Sequence, residues 1–405
     1  MTKKASISEF EFILLMAFLM SNVALCIDAI LPALPDIGQA LQHANTNDLQ
    51  LMITMIFLGL GIGELFFGTL SDALGRKPIV YVGVGIFLLA SILCVMATSL
   101  EMMLLGRALQ GVGLSAPRTV SIAVIRDIYQ GSNMARIMSF IKAIFIVVPM
   151  IAPLLGQWIL KAFHWQAIFY FQLIFIGLTV VWFALRQRET LPKEKRKFLK
   201  RSIFSEGVRT YFSLKDVVLY TLIAGLVEGS FILYLSNSQH IFQDQYLMVN
   251  EFPYIFAGLS FVLGVATFFN GAMVMRYGMK NLVTASLYLS TAAAFLYVLL
   301  YNDGINPPLW VLLTFLSVQF LTLGFIFGNL SAMALRPLGN MAGIGAALYS
   351  FMSMVIGVLI SMAIGKYIVT STLPVFIGLT LTGLLSLLLL RGVREAAPRA
   401  AFKRL

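Results

Sequence analysis

The chain has 405 residues, of which 59% are hydrophobic and only 12% charged, and its mean hydropathy is +0.89. No water-soluble fold has an interior large enough to hide that apolar share, so composition excludes a soluble enzyme or binding module. The formal net charge is +11, but the basic residues collect in short loops rather than in a patch, which argues against nucleic acid as a partner.

A hydrocarbon core of about 30 Å asks for about 20 apolar residues per helix. Runs of that length fall at residues 12–31, 49–70, 79–97, 102–124, 138–160, 166–185, 217–236, 253–275, 282–301, 309–334, 343–366 and 372–390. They predict an all-α polytopic membrane protein with twelve transmembrane helices. With both termini cytoplasmic, most Lys and Arg residues lie on that side: Lys3, Lys4, Arg76, Lys77, Arg126, Arg136, the basic linker, Arg276, Lys280, Arg336 and the tail from Arg391 to Arg404. Asp36, Asp48, Asp244, Glu251 and Asp303 mark the other face, so the basic excess is a topology signal. The lipid bilayer is the expected partner, and residues 186–216 are placed to touch anionic headgroups. Lys3 and Lys4 imitate the start of a signal peptide, but the following run is long and no small-x-small site follows, so it reads as a retained first helix. Cys26 and Cys94 both fall inside spans and offer neither a disulfide framework nor metal-ligand spacing.

The first helix carries Asp28 inside its apolar run, about one turn before Pro32 and Pro35. A carboxylate there costs about 2.5–3.5 kcal/mol at the membrane centre and less toward an interface, so Asp28 either faces a cavity or caps the next turn at the edge. Helix two carries Gly59, Gly61, Gly63 and a second acid, Glu64, which either pairs with a basic residue as a gate or reaches the inner interface. After it comes Gly68-Thr69-Leu70-Ser71-Asp72-Ala73-Leu74-Gly75-Arg76-Lys77-Pro78. Gly68 is expected to allow close backbone approach and Gly75 to take positive φ at a helix end.

That stretch resembles the loop between the second and third helices of the major facilitator superfamily, G-x-L-S-D-x-x-G-R-K-P, with every defined position filled. The run Asp28-Ala29-Ile30-Leu31-Pro32-Ala33-Leu34-Pro35 resembles the first helix of that superfamily's bicyclomycin-resistance (Bcr/CflA) type of drug:proton antiporter. In helix four, Arg107-Ala108-Leu109-Gln110-Gly111 is similar to the R-x-x-Q-G pattern, which the resemblance associates with proton transfer. At 100° per residue, Arg107, Gly111, Ser115 and Arg118 share a sector of about 80°. Two guanidiniums on one face need carboxylates, carbonyls, water or substrate, and Asp28 and Glu64 are the intramembrane acids at hand. Arg118 also admits a snorkelling reading, and Pro117 bends the helix just before it. The loop Arg126-Asp127-Ile128-Tyr129, with Ala135-Arg136 beyond it, again resembles the bicyclomycin type and reads as a charged clamp on the inner face. Helix five has Lys142, Pro149, Pro153 and Gly156 but lacks the first glycines of the antiporter pattern G-x-x-x-G-P.

In the second half, Glu228 lies near the middle of helix seven between Gly225 and Gly229; the resemblance does not supply it, and it is a candidate proton or substrate-cation site on physical grounds. His240, at the outer end, reads as a solvated loop histidine. Gly271 to Lys280 repeats Gly68 to Lys77 at a spacing of 203 residues, aligning Gly75 with Gly278, and Asn340-Met341-Ala342 echoes Asn133-Met134-Ala135. Such a repeat predicts two six-helix bundles related by an axis along the membrane normal.

The expected organisation is an N-terminal bundle over 1–187, a cytoplasmic basic linker over 188–216, a C-terminal bundle over 217–391 and a cytoplasmic basic tail over 392–405. Taking a carboxylate out of water favours its neutral form and a neighbouring cation favours the ionised one, so substrate and proton can compete for one site. The pattern G-x-x-x-x-G-K-[ST] is absent, which leaves a proton gradient rather than ATP as the energy source, and no cofactor is expected. The candidate coupling and substrate residues are Asp28, Glu64, Arg107, Gln110, Arg118 and Glu228. The inner-gate candidates are Gly68, Asp72, Gly75, Arg76, Lys77, Arg126 and Asp127. The resemblance implies a bacterial inner-membrane protein, monomeric, exporting small amphipathic compounds in exchange for protons. Arg118 and Lys142 would also suit an anionic metabolite or siderophore, and a membrane receptor or lipid-handling protein is the rival class.

Overall fold

The computed structural model describes residues 7–43, 45–196 and 201–393. Lys3, Lys4, Lys197, Lys200 and the basic tail from Arg394 onward lie outside the described residues. Twelve helices are long and apolar enough to cross a membrane: α1 Glu9–Asp28, α2 Leu51–Leu74, α3 Arg76–Val95, α4 Leu100–Ile128, α5 Gly131–Ala162, α6 Gln166–Arg186, α7 Lys215–Gln239, α8 Phe252–Tyr277, α9 Met279–Leu300, α10 Leu309–Leu335, α11 Ala342–Gly365 and α12 Leu373–Arg391. In the basic linker a further helix runs over Arg201–Ser213.

Local chemistry sets the ends. Ser8 and Ser99 cap α1 and α4 by accepting from the amides of Glu11 and Met102, and such caps satisfy amides that have no helical partner. The chain leaves α2 at Gly75 with φ 107° and leaves α8 at Gly278 with φ 79°, where a side chain would be strained. A similar pair occurs one helix pair later, with positive-φ glycines at Gly131, which opens α5, and Gly339, just before α11. The sequence echo at 203 residues is therefore a structural repeat.

Each half packs around its fourth helix: α4 lies against α1, α2 and α3, and α10 against α7, α8 and α9. Glycine permits the tightest crossing. A Cβ on Gly59 would collide with the Ala108 carbonyl oxygen, and one on Gly111 with that of Ile56, so α2 and α4 meet backbone to backbone. The halves join along two symmetry-related seams, α2 with α11 and α5 with α8. Gly68 does not match its expectation. A Cβ there would sit 3.6 Å from Thr119 Cγ2, an ordinary contact, so no close backbone approach requires glycine.

The end opposite the Gly75 turn is closed. The chain breaks after Asp28 into a short 3₁₀ turn, Leu31–Ala33, with Pro32, and continues as a helix over Leu34–Ala40. Ala29, Ile30, Leu31 and Ala33 are fully buried, as are Asn237 and Ser238 at the end of α7. Gly156 of α5 sits against the Ala29 carbonyl, and Gln157 Nε2 and Lys161 Nζ reach Val249 O and Asn250 Oδ1 across the halves at 3.0 and 3.2 Å. His240 belongs to this seal rather than to a solvated loop. It is 8% exposed in a π-helical turn, His240–Gln245, that continues α7. Its Nδ1 lies 2.8 Å from Asp244 Oδ2 and its Nε2 2.8 Å from Val369 O. The ring is thus held at both nitrogens, by Asp244 and by the Val369 carbonyl.

Candidate functional site

Arg107 is fully buried on α4 and spreads its guanidinium over three helices. Nε donates to Met52 O of α2 at 3.2 Å, Nη2 to Cys26 O of α1 at 3.1 Å, and Nη1 to Gln110 Oε1 at 2.9 Å. Gln110 passes the connection on, donating to Ser91 Oγ of α3 at 2.8 Å. Carbonyls and an amide thus satisfy Arg107, and among the described residues it forms no ion pair with Asp28 or any other acid. Cys26 O lies in the last turn of α1, where carbonyls lack helical donors. Arg107 therefore ties down the end of α1 two residues before Asp28.

Asp28 itself is 4% exposed and hydrogen-bonds to no described residue. The cap reading fails, because its carboxyl takes no amide of the following turn. Within electrostatic range are Cys26 on the same helix and Tyr234 on α7, whose buried hydroxyl also has no partner. A buried carboxyl with nothing bonded to it is costly to keep charged, and a proton or an incoming cation relieves that cost.

Glu64 and Arg118 settle each other's alternatives by pairing: Arg118 Nη1 donates to Glu64 Oε1 at 2.6 Å. The other Glu64 oxygen accepts from Ser350 Oγ of α11, so this acid bridges the two halves. Arg118 is therefore no snorkelling residue, although its side chain keeps 33% exposure. Glu228, half-buried on α7, lies within electrostatic range of Arg118 and Glu64 and of Tyr349 on α11. Ser350 and Tyr349 were invisible from sequence because nothing in an apolar run marks which hydroxyl faces the opposite bundle. Lys142 stands apart, exposed on α5.

The inner-gate motif converges on Arg76. Its guanidinium meets Asp72 Oδ1 at 2.5 Å, Ser71 Oγ at 2.8 Å and both Asp127 oxygens at 2.9 and 3.2 Å. Lys77 Nζ donates to Gln187 O at 2.7 Å and Ala184 O at 3.0 Å. Glu189, beyond α6, accepts from the Arg76 and Lys77 amides at 3.0 Å each and so caps α3; an acid in a basic linker was the only sequence sign of it. Arg126 is exposed and joins no ion pair among the described residues, which removes it from the cluster. The contacts of Arg76, Asp72 and Asp127 all stay within the first half, so in this conformation the cluster braces α2, α3, α4 and the segment after α6 and does not bridge to the second half.

A family model for the Major Facilitator Superfamily matches residues 12–362. The chain belongs to the Major Facilitator Superfamily. It is thus a multi-pass membrane transporter and not an enzyme, and the family's members bind small-molecule substrates. Among curated relatives, an MFS-type transporter of Bacillus subtilis, YdgK, is 31% identical over 365 residues, covering 87% of this chain and 89% of its own. A bicyclomycin resistance protein homolog of Haemophilus influenzae is 26% identical over 91% of this chain and 92% of its own. The multidrug resistance protein MdtL of Shewanella oneidensis is 28% identical over 80% of each. Among solved structures, a D-xylose-proton symporter superposes with TM-score 0.73 at 13% identity, covering 94% of this chain and 95% of that one. The human organic anion transporter MFSD10 superposes at 0.67 with 16% identity, over 94% and 99%. At those identities the two structures speak for the fold alone. Glu64 bonds across to Ser350 of α11, Asp28 lies within electrostatic range of Tyr234 of α7, and Glu228 of α7 lies within range of Arg118 of α4.

Proposed function

We propose that this superfamily member is a proton-coupled exporter of small amphipathic compounds that works by alternating access. The observation that carries the reading is Asp28, a carboxyl within the first membrane-length span, 4% exposed and bonded to no described residue. Structure alone gives no reason to keep an uncompensated acid there, whereas a proton carrier needs one. Arg107 and Gln110 hold the end of α1 that presents it, Glu64 and Arg118 link the halves, and Glu228 faces the pathway from the second half. The Asp72, Arg76 and Asp127 cluster stiffens the inner gate when the halves part on that side. The names of the bicyclomycin-resistance and MdtL relatives support drug-like cargo.

In this reading the bundles span 1–187 and 217–391, the linker 188–216 and tail 392–405 face the cytoplasm with both termini, and the monomer resides in a bacterial inner membrane. Each charge moved across 100 mV supplies about 2.3 kcal/mol, enough to drive roughly a fifty-fold gradient of a neutral compound per proton. The test is transport by purified protein in liposomes with a pH dye inside and an imposed proton gradient. Substrate-triggered proton movement that the wild type shows and Asp28→Asn lacks is the expected result. Full proton-coupled transport by Asp28→Asn would overturn the assignment.

A further inference from the structure

Three ionisable groups from three helices meet between the bundles: Glu64 of α2, Arg118 of α4 and Glu228 of α7. Arg118 is bonded to one of the two carboxylates and lies within electrostatic range of the other. Arg118 Nη1 is given to Glu64 at 2.6 Å, and Ser350 occupies the remaining Glu64 oxygen. Glu228 receives no hydrogen bond from any described residue, and neither does the nearby Tyr349 hydroxyl. On the α11 side of Glu228 the packing is apolar. Gly225 and Gly229 flank Glu228 and let Ile356 and Ile360 of α11 close down on α7, where a Cβ would come within 2.7 and 2.9 Å of them.

Taking the chain as an exporter, as above, we propose that Glu228 is the recognition group for a lipophilic monocation, and that Arg118, held by Glu64 and Ser350, is its internal competitor. One negative charge is left over when Glu64, Arg118 and Glu228 are all ionised, which fits a ligand with a single positive charge. A carboxylate with isoleucines packed beside it suits a large, weakly hydrated cation, because such an ion loses little hydration on entry and gains from the charge. An anion meets a net negative field and an uncharged compound gains nothing from Glu228.

The arrangement also couples the site to the seam between the halves. An empty, ionised Glu228 draws Arg118 away from Glu64. A cation bound at Glu228 ends that pull, so Arg118 and Ser350 hold Glu64 more firmly and the α2–α11 seam tightens. A ligand shifts a conformational equilibrium only by its differential affinity for the two states, and this competition supplies one.

The experiment is equilibrium binding to detergent-purified protein without any gradient, using tetraphenylphosphonium as the monocation and chloramphenicol as the neutral probe. Glu228→Gln is expected to weaken tetraphenylphosphonium binding at least tenfold and to leave chloramphenicol unchanged, with Glu228→Asp in between. Arg118→Gln, whose amide can still serve Glu64, is expected to tighten the cation several-fold by removing the competitor. Equal cation binding by wild type and Glu228→Gln would overturn the proposal, as would parallel loss of both probes in a monodisperse variant, or weaker cation binding by Arg118→Gln. If Glu228→Gln does not fold, Glu228→Asp and Arg118→Gln still give opposite signs. The two readings fail separately: a wild type that binds the cation but moves no protons in liposomes defeats the exporter, and one that exchanges neutral compounds for protons but ignores the cation defeats this site.

Discussion

Replacing Arg107 with Met keeps most of the side-chain volume and removes every donor. Cys26 O, in the last turn of α1, then loses its partner and Gln110 Oε1 keeps only the weak Cys26 thiol donor at 3.8 Å, while Met52 O, inside α2, keeps its helical amide. A buried polar group left without a partner costs about 1–3 kcal/mol, so one full and one partial loss predict a destabilisation of about 2–4 kcal/mol. Arg107→Lys places one ammonium where a planar fork served three acceptors and should lose about half as much. Thermal unfolding in detergent, followed by intrinsic fluorescence, measures both. The order wild type, Lys, Met in falling midpoint is expected, with transport lost in parallel because the end of α1 no longer holds Asp28 in place. A Met variant that melts with the wild type yet transports nothing would refute the argument, since Arg107 would then act chemically rather than as a brace.

Further consequences concern packing and capping. Glu189→Ala removes the acceptor for the Arg76 and Lys77 amides and is expected to cost about 1 kcal/mol, read as a lower unfolding midpoint; an unchanged midpoint contradicts the capping role. Gly156→Val drives a side chain into the Ala29 carbonyl, an overpacking of about 1–3 kcal/mol that should pry α5 from the break in α1 and abolish transport, whereas wild-type transport by this variant would show the seal to be dispensable. Tyr211 of the linker helix is buried, its hydroxyl bonds to Thr221 of α7, and burial pushes its pKa to about 12. The raised value means that this contact is fully stabilising below pH 10 and loses its contribution as pH rises from 10 to 12; a Tyr211→Phe variant should lack that alkaline loss in a melting-against-pH series.

The helices and the half-chain repeat were legible because hydropathy and glycine turns are local properties: a run of about 20 apolar residues and a Gly75 or Gly278 that must take positive φ announce themselves in one dimension. Asp28, Arg107 and Glu228 stood out because charge inside an apolar run is costly wherever it faces. What these residues touch was not legible. The polar stripe on α4 put both Arg107 and Arg118 in need of a partner, with Arg118 also free to snorkel, yet Arg118 took Glu64 and Arg107 took carbonyls. His240 looked solvated because its sequence neighbours are polar, while a π-helical turn folds it into the seal between α7 and the segment at Val369. Arg126 matched a motif and yet is exposed and joins no ion pair among the described residues.

The central claim is that Asp28 exchanges a proton when substrate binds. Purified protein in weakly buffered detergent with a pH indicator, mixed with a transported compound, reads this directly and needs neither vesicles nor a gradient. Proton release by the wild type that disappears in Asp28→Asn, with compound binding retained, is the predicted result. Equal proton release by Asp28→Asn, or none from a wild type that binds the compound, would contradict the account.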